Sequence, residues 1–269
     1  MTSSLHYRSA MITGASSGLG EEFARQLAPC CDQMILIARR EDRLLDLAND
    51  LKQVNSHLDV LHFAVDLIDR EARTNFIKLI EDHGASPDLL INNAGMGDFG
   101  EFSEAGWPKL EQMLELNINA LTHLTHALLP AMCASGHGDI INVSSLASII
   151  PIPDFAVYAA SKAYVTSFSE ALRMELKDHN INVMALCPGP VHTEFGETAM
   201  RGGDKNKIPG SEFFYTAKSQ VVSEALAGLS SNKARVYPGW KIGLVALALS
   251  AIPIVGLRLI LGTRPRRER

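Results

Sequence analysis

Tyr158 and Lys162 stand four residues apart in the run Tyr-Ala-Ala-Ser-Lys. On a helix that spacing puts the phenol and the ammonium on one face. A free tyrosine ionises near pH ~10, and useful proton exchange near pH 7 asks for a fall of roughly 3 units, about 4 kcal/mol. A cation held a few ångströms away supplies part of that. The pair is thus a candidate proton-transfer site, with Tyr158 as acid or base and Lys162 as the charge that tunes it. A Tyr-x-x-x-Lys taken alone is more often an aromatic and a lysine on an ordinary helix, so the rest of the chain decides.

A second candidate is Thr13-Gly14-Ala15-Ser16-Ser17-Gly18-Leu19-Gly20, which follows the apolar run Ala10-Met11-Ile12 and precedes the amphipathic run Glu21 to Leu27. Glycines there allow a tight turn and a close approach of a pyrophosphate to a helix N-terminus, where free N–H groups and the dipole favour anions. The spacing is Gly-x-x-x-Gly-x-Gly, not the Gly-x-Gly-x-x-Gly of longer dehydrogenases. The next apolar run ends at Ala38 and leads into Arg39-Arg40. An NAD site usually has an acid at this point for the ribose 2′-hydroxyl. Arginines there oppose the dipole of the helix that follows, whereas a 2′-phosphate pairs well with guanidinium. The expected cofactor is therefore NADP(H), against the plainer alternative of a solvated charge cluster. Asp66-Leu67 and Asn92-Asn93-Ala94-Gly95 follow two further apolar runs, at strand ends where open α/β sheets bind ligands.

Short apolar runs (10–12, 34–37, 60–65, 89–91, 140–143, 183–186) alternate with helical stretches near 19–28, 41–54, 69–83, 107–133, 155–178 and 219–229. This predicts an α/β fold with a mostly parallel sheet covered by helices on both faces. The 269 residues suffice for one large core. A net charge of −5, with 20% charged and 46% hydrophobic residues, speaks against a general nucleic-acid binder. Cys30, Cys31, Cys133 and Cys187 lack metal-ligand spacing and the histidines form no ligand cluster, so no metal is expected; four buried or half-buried thiols suit a reducing compartment. Met1 to Ala10 lacks the apolar segment of a secretory signal, and a cytoplasmic location is expected.

Two positions look ordinary in isolation. Asn117 sits inside the helical stretch 107–133, where asparagine is mildly unfavourable. Ser144 and Ser145 end the fifth run, where serines usually serve turns. Together with Thr13–Gly20, Asn92–Gly95, Tyr158-x-x-x-Lys162 and Pro188-Gly-Pro-Val-His-Thr193, these residues resemble the short-chain dehydrogenase/reductase family, over roughly residues 8 to 240. Arg39-Arg40 looks like its NADP(H)-preferring members. The resemblance implies a Rossmann-type doubly wound sheet of seven strands. It implies Tyr158 as general acid in reduction and base in oxidation, Lys162 lowering its pKa and binding the nicotinamide ribose, and Ser145 bonding the substrate oxygen. Asn117 would anchor a water linking Lys162 to solvent, and Asp66 and Asn93 would line the adenine and its ribose. Gly14, Ser16, Ser17, Gly18, Leu19, Gly20, Leu67, Ala94 and Gly95 would complete the nucleotide site, with Pro188, Gly189, Val191 and Thr193 at the nicotinamide end. The implied assembly is a homo-oligomer, dimer or tetramer.

The substrate pocket is expected from the loop 190–217, the turn after Gly95 and the apolar stretch Leu146 to Val157, with Met96, Phe99, Phe195, Phe213 and Phe214 in its walls. That predicts an apolar, lipid-like ketone or alcohol. His192 is expected to face solvent. Two alternatives are a catalytically silent NADP(H)-binding regulator or scaffold and another reaction on the same fold. Residues 1–240 are expected to form the catalytic domain and 241–269 an apolar tail with a basic end. From Ile242 to Val255 the tail has no charge, and it ends Arg264-Pro-Arg-Arg-Glu-Arg269. It suits a peripheral contact with the cytoplasmic face of a membrane, a helix packed on the core or on a second subunit, or, poorly because of Pro253 and Arg258, a single span.

Overall fold

Each apolar run can bury both faces of a strand, because successive side chains point to opposite sides. In β1 (Tyr7–Thr13) Ala10 and Ile12 enter one core, while Met11 enters the other. β2 (Cys31–Ala38) repeats this, with Met34 and Leu36 on one side and Ile35 and Ile37 on the other. A computed structural model describes residues 6–84, 86–201 and 212–262. Its other strands are β3 (Asp59–Ala64), β4 (Leu89–Asn92), β5 (Gly138–Val143), β6 (Ile181–Leu186) and β7 (Arg235–Val236). They form one sheet in the order β3-β2-β1-β4-β5-β6-β7. Every pairing in it is parallel, where a mostly parallel sheet was expected.

The helices are α1 (Gly18–Leu27), α2 (Glu41–Val54), α3 (Arg70–Asp82), α4 (Trp107–Leu114), α5 (Leu121–Ser135), α6 (Ala156–Glu175), α7 (Glu194–Ala199), α8 (Lys218–Ser230), α9 (Trp240–Ala251) and α10 (Ile254–Gly262). α1, α2 and α8 cover one face of the sheet and α3, α5 and α6 the other. The stretch predicted as one helix over 107–133 is α4 and α5 joined by a wide π turn, Glu115–Ala120. Its extra residue per turn faces Asn117 inward, 1% exposed. The apolar tail, already a poor candidate for a single span, is broken at Ile252-Pro253 into two short helices, since proline lacks the N–H and its ring clashes with the preceding turn. Among the described residues no helix is long and apolar enough to cross a membrane.

The strand order reverses between β1 and β4, and the chain is stitched together there. Thr13 Oγ1 accepts the backbone N–H groups of Asn93 and Ala94, each at 3.0 Å. The Asn93 amide donates in return to the carbonyls of Thr13 (2.9 Å) and Gly14 (3.2 Å). Gly14 needs its φ of +67°, and a Cβ at Gly20 would collide with the Gly14 carbonyl and come within 2.6 Å of Asn93 Nδ2. The nearest atom is a backbone carbonyl with no flexible end to yield, and the Asn93 amide beside it is held by its own hydrogen bonds. Gly20→Ala should therefore lose about 1–3 kcal/mol in urea unfolding, despite the helix propensity that alanine adds; an unchanged or raised stability would contradict this packing.

Candidate functional site

The C-terminal ends of the strands open onto one cavity of about 740 Å³. At one end the turn Gly14–Leu19 leads into α1, whose N-cap Ser17 makes no side-chain hydrogen bond to the first turn. That leaves the N-terminal N–H groups facing the cleft, the arrangement that suits a pyrophosphate. Arg39 and Arg40, after β2, lie on the same wall, with Asp66 and Leu67 after β3. Arg40 is anchored: its Nη2 donates to Ser16 Oγ (3.0 Å) and Ser17 Oγ (2.8 Å), and its Nη1 to Glu194 Oε2 (2.7 Å). Arg43 donates to the other oxygen of Glu194 at 2.5 Å. The paired guanidiniums hold the Glu194 carboxyl far down, at a pKa of about 2. Asp66 Oδ1 accepts the backbone N–H of Ile68 (3.0 Å).

In the middle of the cavity stand Ser145, Tyr158 and Lys162. β5 ends at Ser144 and Ser145. Ser144 Oγ donates to the Lys162 carbonyl (2.8 Å) and pairs with Thr166 (2.7 Å), fixing the strand end against α6. Ser145 Oγ accepts the N–H of Ala147 (3.1 Å) and remains on the cavity wall. The Tyr158 ring is 7% exposed and stacks on Phe155, centroids 4.2 Å apart, with Phe195 on another side at 5.4 Å. Lys162 Nζ lies 5.8 Å from the centre of the Tyr158 ring and donates to the Val143 carbonyl at 2.9 Å. Burial pushes the phenol up to about 12, against the pull of the Ser145 hydroxyl. Burial likewise pushes Lys162 down to about 8. The direction of the tyrosine's shift is thus set by its own burial, with the Ser145 hydroxyl as the opposing pull.

Asn117 stands behind this wall. Its Nδ2 donates to Met96 O (2.9 Å) and Ser161 Oγ (3.0 Å), and its Oδ1 accepts the Met96 N–H (3.0 Å). Of the residues expected to act in catalysis or bind the cofactor, Gly20 and Asn117 lie behind the cavity surface, and the others line it. Asn93 reaches the cavity, but its amide protons are spent on the Gly-rich turn.

The remaining end is apolar, with Met96, Phe99, Ile150, Ile152, Phe155 and Phe195 in its walls. Phe213 and Phe214 do not line it, contrary to expectation; Phe213 is 57% exposed, with Lys241 Nζ 3.6 Å from its ring centre. Tyr215 takes that place, stacked at 4.1 Å on the exposed His192. Positions 202–211 of the predicted loop lie outside the described residues. Glu194 and Tyr215 fall within the expected loop 190–217 without being singled out in it, and Leu249 of α9 was missed as a lining residue. Only the run Arg39-Arg40, which asks for a counter-charge, hinted at the first.

Lys162 is 4% exposed and its charge is held against burial. The folded pKa lies below the ordinary 10.5, so between about pH 8 and 10.5 the unfolded chain binds the extra proton. Stability from this group is absent below pH 8 and gained as pH rises through that window. In Lys162→Met the wild-type rise in melting temperature between pH 8 and 10 should disappear; an identical pH profile in both proteins would contradict the burial of the charge.

The family model for short chain dehydrogenases matches residues 8–202. A sulfoacetaldehyde reductase of Chromohalobacter salexigens is 35% identical over 226 residues, 81% of this chain and 85% of that one. The solved structure of a short-chain dehydrogenase from Sphingobium yanoikuyae in complex with NADPH matches with a TM-score of 0.79 at 28% identity, covering 97% of this chain and 98% of that chain. The bulky-bulky ketone specific alcohol dehydrogenase from Comamonas testosteroni matches with a TM-score of 0.76 at 26% identity, over 97% and 96% of the two chains. The sheet order, the glycine turn at its reversal and these matches agree, and the chain belongs to the short-chain dehydrogenase family of oxidoreductases.

Proposed function

We propose that the protein interconverts a ketone or aldehyde and the corresponding alcohol with NADP(H), on an apolar substrate, with Tyr158 as general acid and base. The observation that carries this reading is the single cavity that joins the Gly14–Leu19 turn and Arg39-Arg40 to Ser145, Tyr158 and an apolar end. NADP(H) would lie from the arginines past the N-terminus of α1 to Pro188, Gly189, Val191 and Thr193, and it supplies or accepts the hydride. The chain does the rest. Ser145 and Tyr158 hold the substrate oxygen and stabilise the charge that develops there. Tyr158, with a pKa near 12, keeps its proton at neutral pH and donates it to that oxygen in reduction. Lys162 is still cationic at pH 7 and orients the ribose of the nicotinamide. A Cβ on Gly95 would lie 3.3 Å from both Asn117 Oδ1 and Lys162 Nζ, so the glycine keeps the space between them open. We assign that space to the solvent link that returns a proton to the dyad.

The substrate end favours a bulky apolar ketone over an anionic aldehyde of the sulfoacetaldehyde kind. The described residues lining that end are apolar, and the cations of the cavity are Arg39, Arg40 and Lys162. Tyr158→Phe should retain NADPH binding and lose ketone reduction by about 10²–10⁴-fold, measured by fluorescence titration and initial rates. Turnover at the wild-type rate would remove Tyr158 from the chemistry. A sulfonated aldehyde turned over faster than bulky ketones would overturn the substrate class.

For the tail we propose docking on an anionic lipid surface. α9 is apolar on all sides, yet its own chain covers only the face carrying Ile242 and Ala246. Trp240, Leu244 and Leu247 are 57–71% exposed, as are Val255 and Leu259 of α10 at 61% and 71%. No acid occurs between Trp240 and Gly262, where Lys241 and Arg258 are the charges. The sequence continues with Arg264, Arg266, Arg267, Glu268 and Arg269, outside the described residues, so a basic stretch follows the apolar helices in a chain of net charge −5. The full-length protein should sediment with vesicles containing anionic lipid, weakly with neutral ones, and Leu244→Glu/Leu247→Glu should abolish this without loss of reductase activity. No sedimentation, or a dimer that the double variant splits, would assign the face to protein instead.

A further inference from the structure

The rim of the cleft holds an ion-pair cluster that the reaction does not use. Glu194 is the first residue of α7, between Thr193 and Phe195, and all three line the cavity. Its two carboxylate oxygens are shared between Arg40 (2.7 Å) and Arg43 (2.5 Å), across 154 and 151 residues of sequence. The carboxylate thus straps the segment after β6 to the start of α2, over the nucleotide end of the cavity. The same Arg40 faces both serines of the glycine turn.

We infer that Glu194, braced from behind by Arg43, is a specificity-determining residue that competes with the cofactor's 2′-phosphate for Arg40. The inference rests on NADP(H) as cofactor. A 2′-phosphate and a carboxylate are both acceptors for a guanidinium fork, and both are anions, so they cannot share it without repulsion. NADP(H) must displace Glu194 to gain Arg40 in full, whereas NAD(H) has no group that asks for it. Glu194 therefore narrows the preference that the arginines create. Its release also has a reach. Phe195, the next residue, packs 5.4 Å from the Tyr158 ring, so freeing Glu194 loosens the wall of the substrate pocket when NADP(H) binds and leaves it strapped when NAD(H) binds.

The test is side-by-side titration of NADPH and NADH into the wild type, Glu194→Gln and Arg40→Ala. Glu194 is exposed, so the neutral isostere should fold normally. Glu194→Gln should tighten NADPH by about fivefold and leave NADH within about twofold of wild type. Arg40→Ala should weaken NADPH. NADPH affinity that is unchanged or lower in Glu194→Gln, with Arg40→Ala still weakened, overturns the competition alone. NADPH affinity unaffected by Arg40→Ala removes the arginine from cofactor recognition and overturns both.

Discussion

One side-chain amide holds the place where everything else converges. Asn93 bridges the carbonyls of Thr13 and Gly14, while Thr13 Oγ1 takes the N–H groups of Asn93 and Ala94. These bonds join the ends of β1 and β4 at the point where the strand order reverses. A crevice forms there because the helices after the two strands leave on opposite faces of the sheet. Without the bridge, two strand-end loops would each have to satisfy backbone groups in solvent, and the crevice would have no fixed width. With it, the turn before α1 is held rigid by bonds that face away from the cavity.

The dyad depends on a second constraint, burial. α6 presents Tyr158 and Lys162 to the cavity because Ser144 and Thr166 bind it to the end of β5. The helix buries one full face, and the cost falls on the lysine, whose ammonium is satisfied by the Val143 carbonyl. A cavity apolar enough to receive a ketone is also apolar enough to raise a phenol and depress an amine. The same environment therefore bears on both the proposed substrate class and the protonation of Tyr158.

Much of this was legible in the chain. The strand and helix alternation follows from hydrophobic periodicity, and six of the seven strands carry apolar runs; β7, Arg235–Val236, is too short to show one and entered only through family resemblance. The residues that line the cavity sit at strand ends because the fold puts loops there, so their motifs locate them without coordinates. What periodicity cannot carry is a contact between distant segments. The stitch from Asn93 to Gly14 and the strap from Glu194 to Arg40 each join loops by single side chains. The π turn around Asn117 has the composition of an ordinary helix. The upward shift of the tyrosine has a related cause: the spacing to Lys162 is visible in sequence, but the depth of burial is not.

Leu249 lies on the cavity wall, while Leu244 and Leu247 of the same helix face outward. α9 thus has one face on the cavity and another turned outward, so anything bound on either face would be thermodynamically linked to the other. A contact that steadied its outer face would steady a wall of the reaction chamber, and a ligand pressing on the inner face would be felt outside. A chain shortened at Gly239 would lose both at once, so its inactivity would report on the chamber and carry no information about the surface.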